Sequence, residues 1–210
     1  MPRKVEDRYP AGAAALGFSP HSGWAALVAL GGDPRSPVVL ARERIEMADP
    51  AIGGAKQPYH EAEGLPIEKA EALLKRCFDS ARRMASEAVG PVVARLREQG
   101  YEVRRSGILQ SSGRQGKTLE ATLASHALIH TADGDHFREA LRLAGEACGL
   151  QVTGVREREL LSRAATAFGS SPEPLREQVV MLGRALGPPW GADQKSAALM
   201  AWLLLADRGS

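Results

Sequence analysis

Three of the chain's five histidines fall in the stretch Ser125-His126-Ala127-Leu128-Ile129-His130-Thr131-Ala132-Asp133-Gly134-Asp135-His136. On a helix, His126 and His130 stand four residues apart and share a face, the spacing at which two imidazoles can bind one transition-metal ion. Asp133 lies a further turn along, so His126, His130 and Asp133 form a candidate ligand set. The pattern lacks the glutamate that a metalloprotease helix carries between its histidines, and Gly134 is expected to end the helix near Asp133. The competing reading makes His126 and His130 partly buried, hydrogen-bonded side chains, with Asp133, Asp135 and His136 capping the junction to a following helix.

A second constellation is Ser111-Ser112-Gly113-Arg114-Gln115-Gly116-Lys117-Thr118, which ends in the Gly-Lys-Thr that closes a phosphate-binding loop. The full pattern needs glycine where Ser111 stands, and no apolar strand ending in a magnesium-binding aspartate follows. Arg114, Lys117 and Thr118 are therefore candidate ligand-binding residues of an anion-holding or nucleic-acid-contacting loop, with a solvated flexible loop as the plainer alternative. His21 and His60 are polar candidates of a third kind. With Ser19, Ser22 and Asp193 they would make a polar pocket in which a histidine could activate a serine, but neither a nucleophile elbow nor a third orienting group is recognisable. As isolated histidines they read more readily as turn residues facing solvent.

The elements that must position these residues emerge from the hydrophobic pattern. Of the 210 residues, 44% are hydrophobic and 25% charged, a globular composition in one domain spanning 1–210. Twenty-seven Lys and Arg against 25 Asp and Glu leave a net charge of +2, too small to mark a nucleic-acid surface by itself, and 5% aromatic content leaves little for base stacking. Cys77 and Cys148 belong to no zinc spacing and are expected to be buried thiols.

Ala13–Phe18 and Trp24–Leu30 read as a hairpin of buried strands, and Val38–Met47 as a third, edge-ward strand. Residues 49–64 read as a long loop. An apolar face then runs from Ala70 to Met84 behind Pro66, with Gly90-Pro91 expected to break the helix before Val92–Gln99. Tyr101–Gln110 and Leu150–Val155 read as strands. Leu119–His130, Phe137–Cys148, Arg158–Phe168 and Leu175–Leu186 read as helices. A final helix within 187–206 is apolar nearly all round, so it is expected to pack on the sheet or to form a subunit interface. Strands first and crossover units afterwards predict an α/β fold with a mixed sheet, three antiparallel strands followed by parallel ones, and helices on both faces.

This order, with the motif Ala15-Leu16-Gly17-Phe18-Ser19-Pro20-His21-Ser22-Gly23, resembles the ribonuclease-H-like fold and within it the Holliday-junction resolvases of the RuvC type. The resemblance implies an aspartate where Ser19 stands, a glutamate near Gln110 on the fourth strand, and two aspartates three residues apart at the start of the last helix. There the chain has Asp193 and Ser196, within Gly191-Ala192-Asp193-Gln194-Lys195-Ser196-Ala197-Ala198-Leu199-Met200. Two-metal phosphodiester cleavage needs several carboxylates around two hard cations. Ser19, Gln110, Asp193 and Ser196 are thus read as degenerate-site positions. A divalent metal is conceivable for this chain, but not as a two-metal centre.

Three functional readings follow. The first is a catalytically degenerate RuvC-like protein that binds nucleic acid or a phosphorylated ligand rather than cleaving it. The second is a metal-dependent or histidine-based enzyme with a relocated site, and the third a structural or partner-binding protein. The partners expected are nucleic acid or another protein, with a homodimer open. No segment is long and apolar enough for a membrane span, and the expected compartment is the cytoplasm.

Overall fold

The computed structural model describes residues 12–114 and 116–207. The charged segment Met1–Tyr9 and Gln115 of the Gly-Lys-Thr loop lie outside them. In chain order the elements are β1 (Ala13–His21), β2 (Trp24–Gly31), β3 (Val38–Glu46), α1 (Pro58–Ala62), α2 (Ile67–Glu98), β4 (Glu102–Gln110), α3 (Leu119–Leu123), α4 (His126–Ala147), β5 (Gln151–Arg156), α5 (Glu157–Phe168), α6 (Pro172–Leu182) and α7 (Ala192–Ala206). They build one sheet of order β3-β2-β1-β4-β5. The β1–β2 and β2–β3 pairs are antiparallel, and the β1–β4 and β4–β5 pairs are parallel, which is the expected mixed sheet.

Strand alternation sorts the core into two layers. Leu16, Phe18, Leu27 and Ile108 point to the face covered by α2 and α4. Ala15, Val28, Leu30 and Leu109 point to the other face, which α5, α6 and α7 cover. The apolar C-terminal helix is core: Ala197 to Trp202 are all buried. No described helix is long and apolar enough to cross a membrane.

The local breakers are overridden in three places. α2 is a single helix through Gly90-Pro91, not two. Its buried stripe continues across the proline through Val89, Val92, Val93 and Leu96. Pro91 itself is exposed, so water can serve the carbonyl that loses its donor and packing outweighs the local cost. α4 likewise runs on past Gly134, its buried stripe continuing from Ile129 and Asp133 to His136, Phe137 and Ala140; the Arg138 guanidinium folds back into the space above that glycine, where a Cβ would lie 2.4 Å from it. Finally, β1 continues through Pro20 to His21, so that only Ser22 and Gly23 (φ 84°) make the turn. The closing pair of a two-residue hairpin is hydrogen-bonded and the next pair is not, so the N–H that Pro20 lacks is not one the hairpin ladder uses.

Two smaller corrections concern the loops. The stretch 49–64 contains the one-turn helix α1, and α6 ends at Leu182 rather than at Leu186. Both cysteines are free; Cys77 is buried, whereas Cys148 is only half-buried.

Candidate functional site

Gly17 and Gly107 face each other across the β1–β4 pair. A Cβ on Gly17 would lie 2.0 Å from the Ala197 carbonyl oxygen, and one on Gly107 would lie 2.1 Å from the Met200 side chain. The missing side chains let α7 rest almost on the sheet backbone. That seating brings the first turn of α7 to the carboxyl end of β1, where His21 Nε2 meets Asp193 Oδ1 at 2.7 Å. His21 stacks on Trp24, with ring centroids 4.5 Å apart and an angle of 14° between the planes. The Arg44 guanidinium lies 3.7 Å from the Trp24 ring on β2's other neighbour strand. Arg42, on the same strand, donates to the Gly187 and Pro189 carbonyls at 2.7 and 2.8 Å and so anchors the approach to α7.

The positions matched to a resolvase centre do not all converge. By alternation from Ala15 and Gly17, Ser19 is on the α7 face, as are His21 and Asp193. Gln110 is on the opposite face, its side chain against Gly154. The β4 residue on Ser19's face is Leu109, buried in the α7 layer. Ser196 turns toward a groove with Leu160, Val179 and Leu199 between α5, α6 and α7. A buried hydroxyl, a hydrocarbon and a histidine-paired aspartate do not fit a pair of hard divalent cations, which need clustered anionic oxygens.

A second cluster forms where α1 meets α4. Asp133 is 2% exposed on the inner face of α4. Its Oδ1 accepts the Tyr59 N–H at 2.7 Å and its Oδ2 lies 2.5 Å from His60 Nδ1. A buried carboxylate needs such partners, and meeting them fixes α1 in place and aims the His60 ring at α4. There it finds His126 and His130, with centroid separations of 5.2 and 4.5 Å. One ligand nitrogen from each of the three rings lies within 4.8 Å of the others. Asp133 therefore stands behind His60, not beside His126 and His130 as a third ligand. His60, expected beside His21, belongs instead to this group.

The two clusters border one small cavity of about 320 Å³, lined by His21, Ser22, Ser111, Gly113, His130 and Arg138 among others. Arg138 is held in its wall by donating from Nε to the Leu109 carbonyl at 3.0 Å. Burial lowers the pKa of Arg138, against the pull of Asp135 and Glu157.

Lys117 and Thr118 line a larger cavity of about 730 Å³ with Gln110, Tyr59, Arg142 and His136. Arg114 is exposed and is not among its lining residues. Thr118 Oγ1 accepts the Ala121 N–H at 3.2 Å and caps α3, a helix of five residues. His136 is 7% exposed and its Nε2 has no hydrogen-bond partner among the described residues. Burial pushes its pKa down to about 4, only partly opposed by a hydrogen bond with the Cys77 backbone. Burial and the nearby Asp133 and Asp135 raise the Tyr59 phenol above its ordinary value.

Of the residues singled out from sequence, the structure unites His21 with Asp193, and His126 with His130. The role of His60 was missed because its partner Asp133 is 73 residues away. The available signal was an aspartate at an inward position of a mostly apolar helix face, which has to be neutralised by something from elsewhere.

No protein-family model matches the chain, and no characterised protein matches it by sequence. Solved structures do share its architecture. It is similar to Thermus thermophilus RuvC, with a TM-score of 0.53, 12% identity, and coverage of 92% of this chain and 94% of that one. It is also similar to T. thermophilus RuvC in complex with a Holliday junction substrate, with a TM-score of 0.52, 12% identity, and coverage of 93% and 94%. The chain thus has the ribonuclease-H-like fold of RuvC.

Proposed function

We propose that this protein is a catalytically degenerate RuvC-like protein that binds nucleic acid without cleaving it by two-metal chemistry. The observation that carries the reading is the pair Ser19 and Leu109 on the α7 face, at the strand ends where clustered carboxylates would be required. The fold is kept while the ligand set for hard cations is not. The same end of the sheet offers Trp24, half-buried and layered between His21 and Arg44. Lys56 lies beside the Ser22-Gly23 turn, and Lys195 is in the first turn of α7. A cation-flanked aromatic surface suits phosphates and bases, and a similar fold has been seen holding a Holliday junction.

The test is titration of a labelled four-way junction and a duplex with the full chain at several salt concentrations, with a parallel cleavage assay in Mg²⁺. The reading requires binding whose logarithm falls linearly with the logarithm of salt concentration, weakened by Arg44→Ala and Trp24→Ala, and no strand cleavage. Absence of binding at low salt would remove it. So would Mg²⁺-dependent cleavage abolished by Asp193→Asn.

A further inference from the structure

We infer that His60, His126 and His130 bind a single divalent transition-metal ion of the zinc class, a site independent of the nucleic-acid reading. Three observations support it. The first is the convergence of three ring nitrogens within 4.8 Å. Tetrahedral coordination with metal–nitrogen bonds of about 2.0 Å places ligand nitrogens about 3.3 Å apart. His126 Nε2 and His130 Nε2 are already 3.0 Å apart. Two imidazole lone pairs facing each other at that distance repel unless a proton or a cation stands between them.

The second observation is the support behind His60. Asp133 holds the Nδ1 side of that ring, which leaves Nε2 as the nitrogen for a metal. This is the carboxylate–histidine arrangement that fixes the tautomer and orientation of a metal-bound imidazole. Asp133 is itself fixed by burial and by the Tyr59 N–H, so the orienting group does not need to be ordered on binding. Asp133 is thus a positioning residue.

The third observation concerns what lies beside the cluster. His130 also lines the cavity of about 320 Å³ that reaches Ser111 and Arg138. Three protein ligands leave the fourth position of a tetrahedral ion for water or an exogenous oxygen, and this cavity is room for one. An all-imidazole set selects zinc and its neighbours in the first transition row over magnesium or calcium, which prefer oxygen.

The experiment uses untagged full-length protein, stripped with chelator and titrated with Zn²⁺ alone by calorimetry. Metal content after desalting is the second readout. One Zn²⁺ per chain is expected, no Mg²⁺ binding at this site, and loss of the bound zinc in the double variant His126→Ala, His130→Ala. Both side chains are exposed, so that variant keeps the fold, and circular dichroism checks it. Asp133→Asn should bind Zn²⁺ about 10- to 100-fold more weakly. Co²⁺ should give the visible absorption of a four-coordinate site in the wild type and not in the double variant. Absence of stoichiometric zinc in the wild type, or equal binding by the double variant, would overturn the site.

Discussion

His21, the last residue of the first strand, and Asp193, in the first turn of the last helix, are joined by a 2.7 Å contact between Nε2 and Oδ1. The side chains are 43% and 33% exposed, and a polar pair so well solvated contributes less than about 1 kcal/mol to stability. Asp193→Asn should therefore leave the urea midpoint almost unchanged. In the binding assay it should tighten the complex with a four-way junction a few-fold, because the Asp193 carboxylate repels phosphates. A large loss of stability would mean that the contact is structural.

The paired glycines beneath α7 should be unequal. At Gly17 an added methyl meets helix backbone, with the Ala197 oxygen at 2.0 Å and the Ala201 nitrogen at 2.7 Å. At Gly107 it meets the Met200 and Leu204 side chains, which can rotate away. Gly17→Ala should cost about 3 kcal/mol or more, and Gly107→Ala about 1–2 kcal/mol, in chemical denaturation. Equal costs would indicate that α7 can lift from the sheet.

Gly90 is in the interior of α2, and apart from its chain neighbours and the helix's own backbone no described atom lies within 4 Å of where its Cβ would be. Gly90→Ala removes unfolded-state freedom and meets no side chain from another element, so only crowding by the adjoining Pro91 ring opposes the gain. It should raise stability by about 0.5–1 kcal/mol, seen as a higher thermal midpoint. A lower midpoint would show that the helix needs glycine beside Pro91.

His136 supplies a pH dependence. Burial depresses its pKa to about 4, below the ordinary 6.5 that it regains on unfolding. Between those values the unfolded chain binds the extra proton, so stability falls as pH drops from about 6.5 to about 4. The full penalty is about 3 kcal/mol, reached below the lower value. His136→Phe replaces the ring inside the aromatic group of Phe78 and Phe137. Relative to the wild type, the variant should gain stability progressively as pH falls through that window. Parallel curves for the two proteins would rule out a buried neutral His136.

The mixed sheet, three antiparallel strands followed by parallel ones with helices on both faces, was legible in the sequence, because the apolar runs of β1, β2 and α7 are local consequences of burial. Element continuity was not legible at Pro91 and Gly134. A proline or glycine is a local signal, whereas the buried stripes that outweigh it are packed against partners from distant parts of the chain. The histidine pair on α4 could be read from spacing alone. Its third member could not, since a five-residue helix inside a long loop has no period to detect and the Asp133–His60 contact joins separate segments. The placement of Gln110 failed for a simpler reason. Motif matching tolerates a shift of one residue, but a one-residue shift along a strand exchanges its two faces.

The glycine notch that seats α7 also sets an order of assembly. β1 and the helix lying on Gly17 are far apart in the chain, with His21 and Asp193 separated by 172 residues. Until α7 docks, the apolar face of β1, β2 and β4 has no complete cover, and His21 has no carboxylate to meet. Closure over such a sequence separation is slow compared with forming the hairpin or α2. The hairpin should accordingly be an early structure and the His21–Asp193 contact a late one. A chain truncated before Ala192 would keep all five strands of the sheet but expose the layer that α7 covers, so docking of that helix completes the second half of the core.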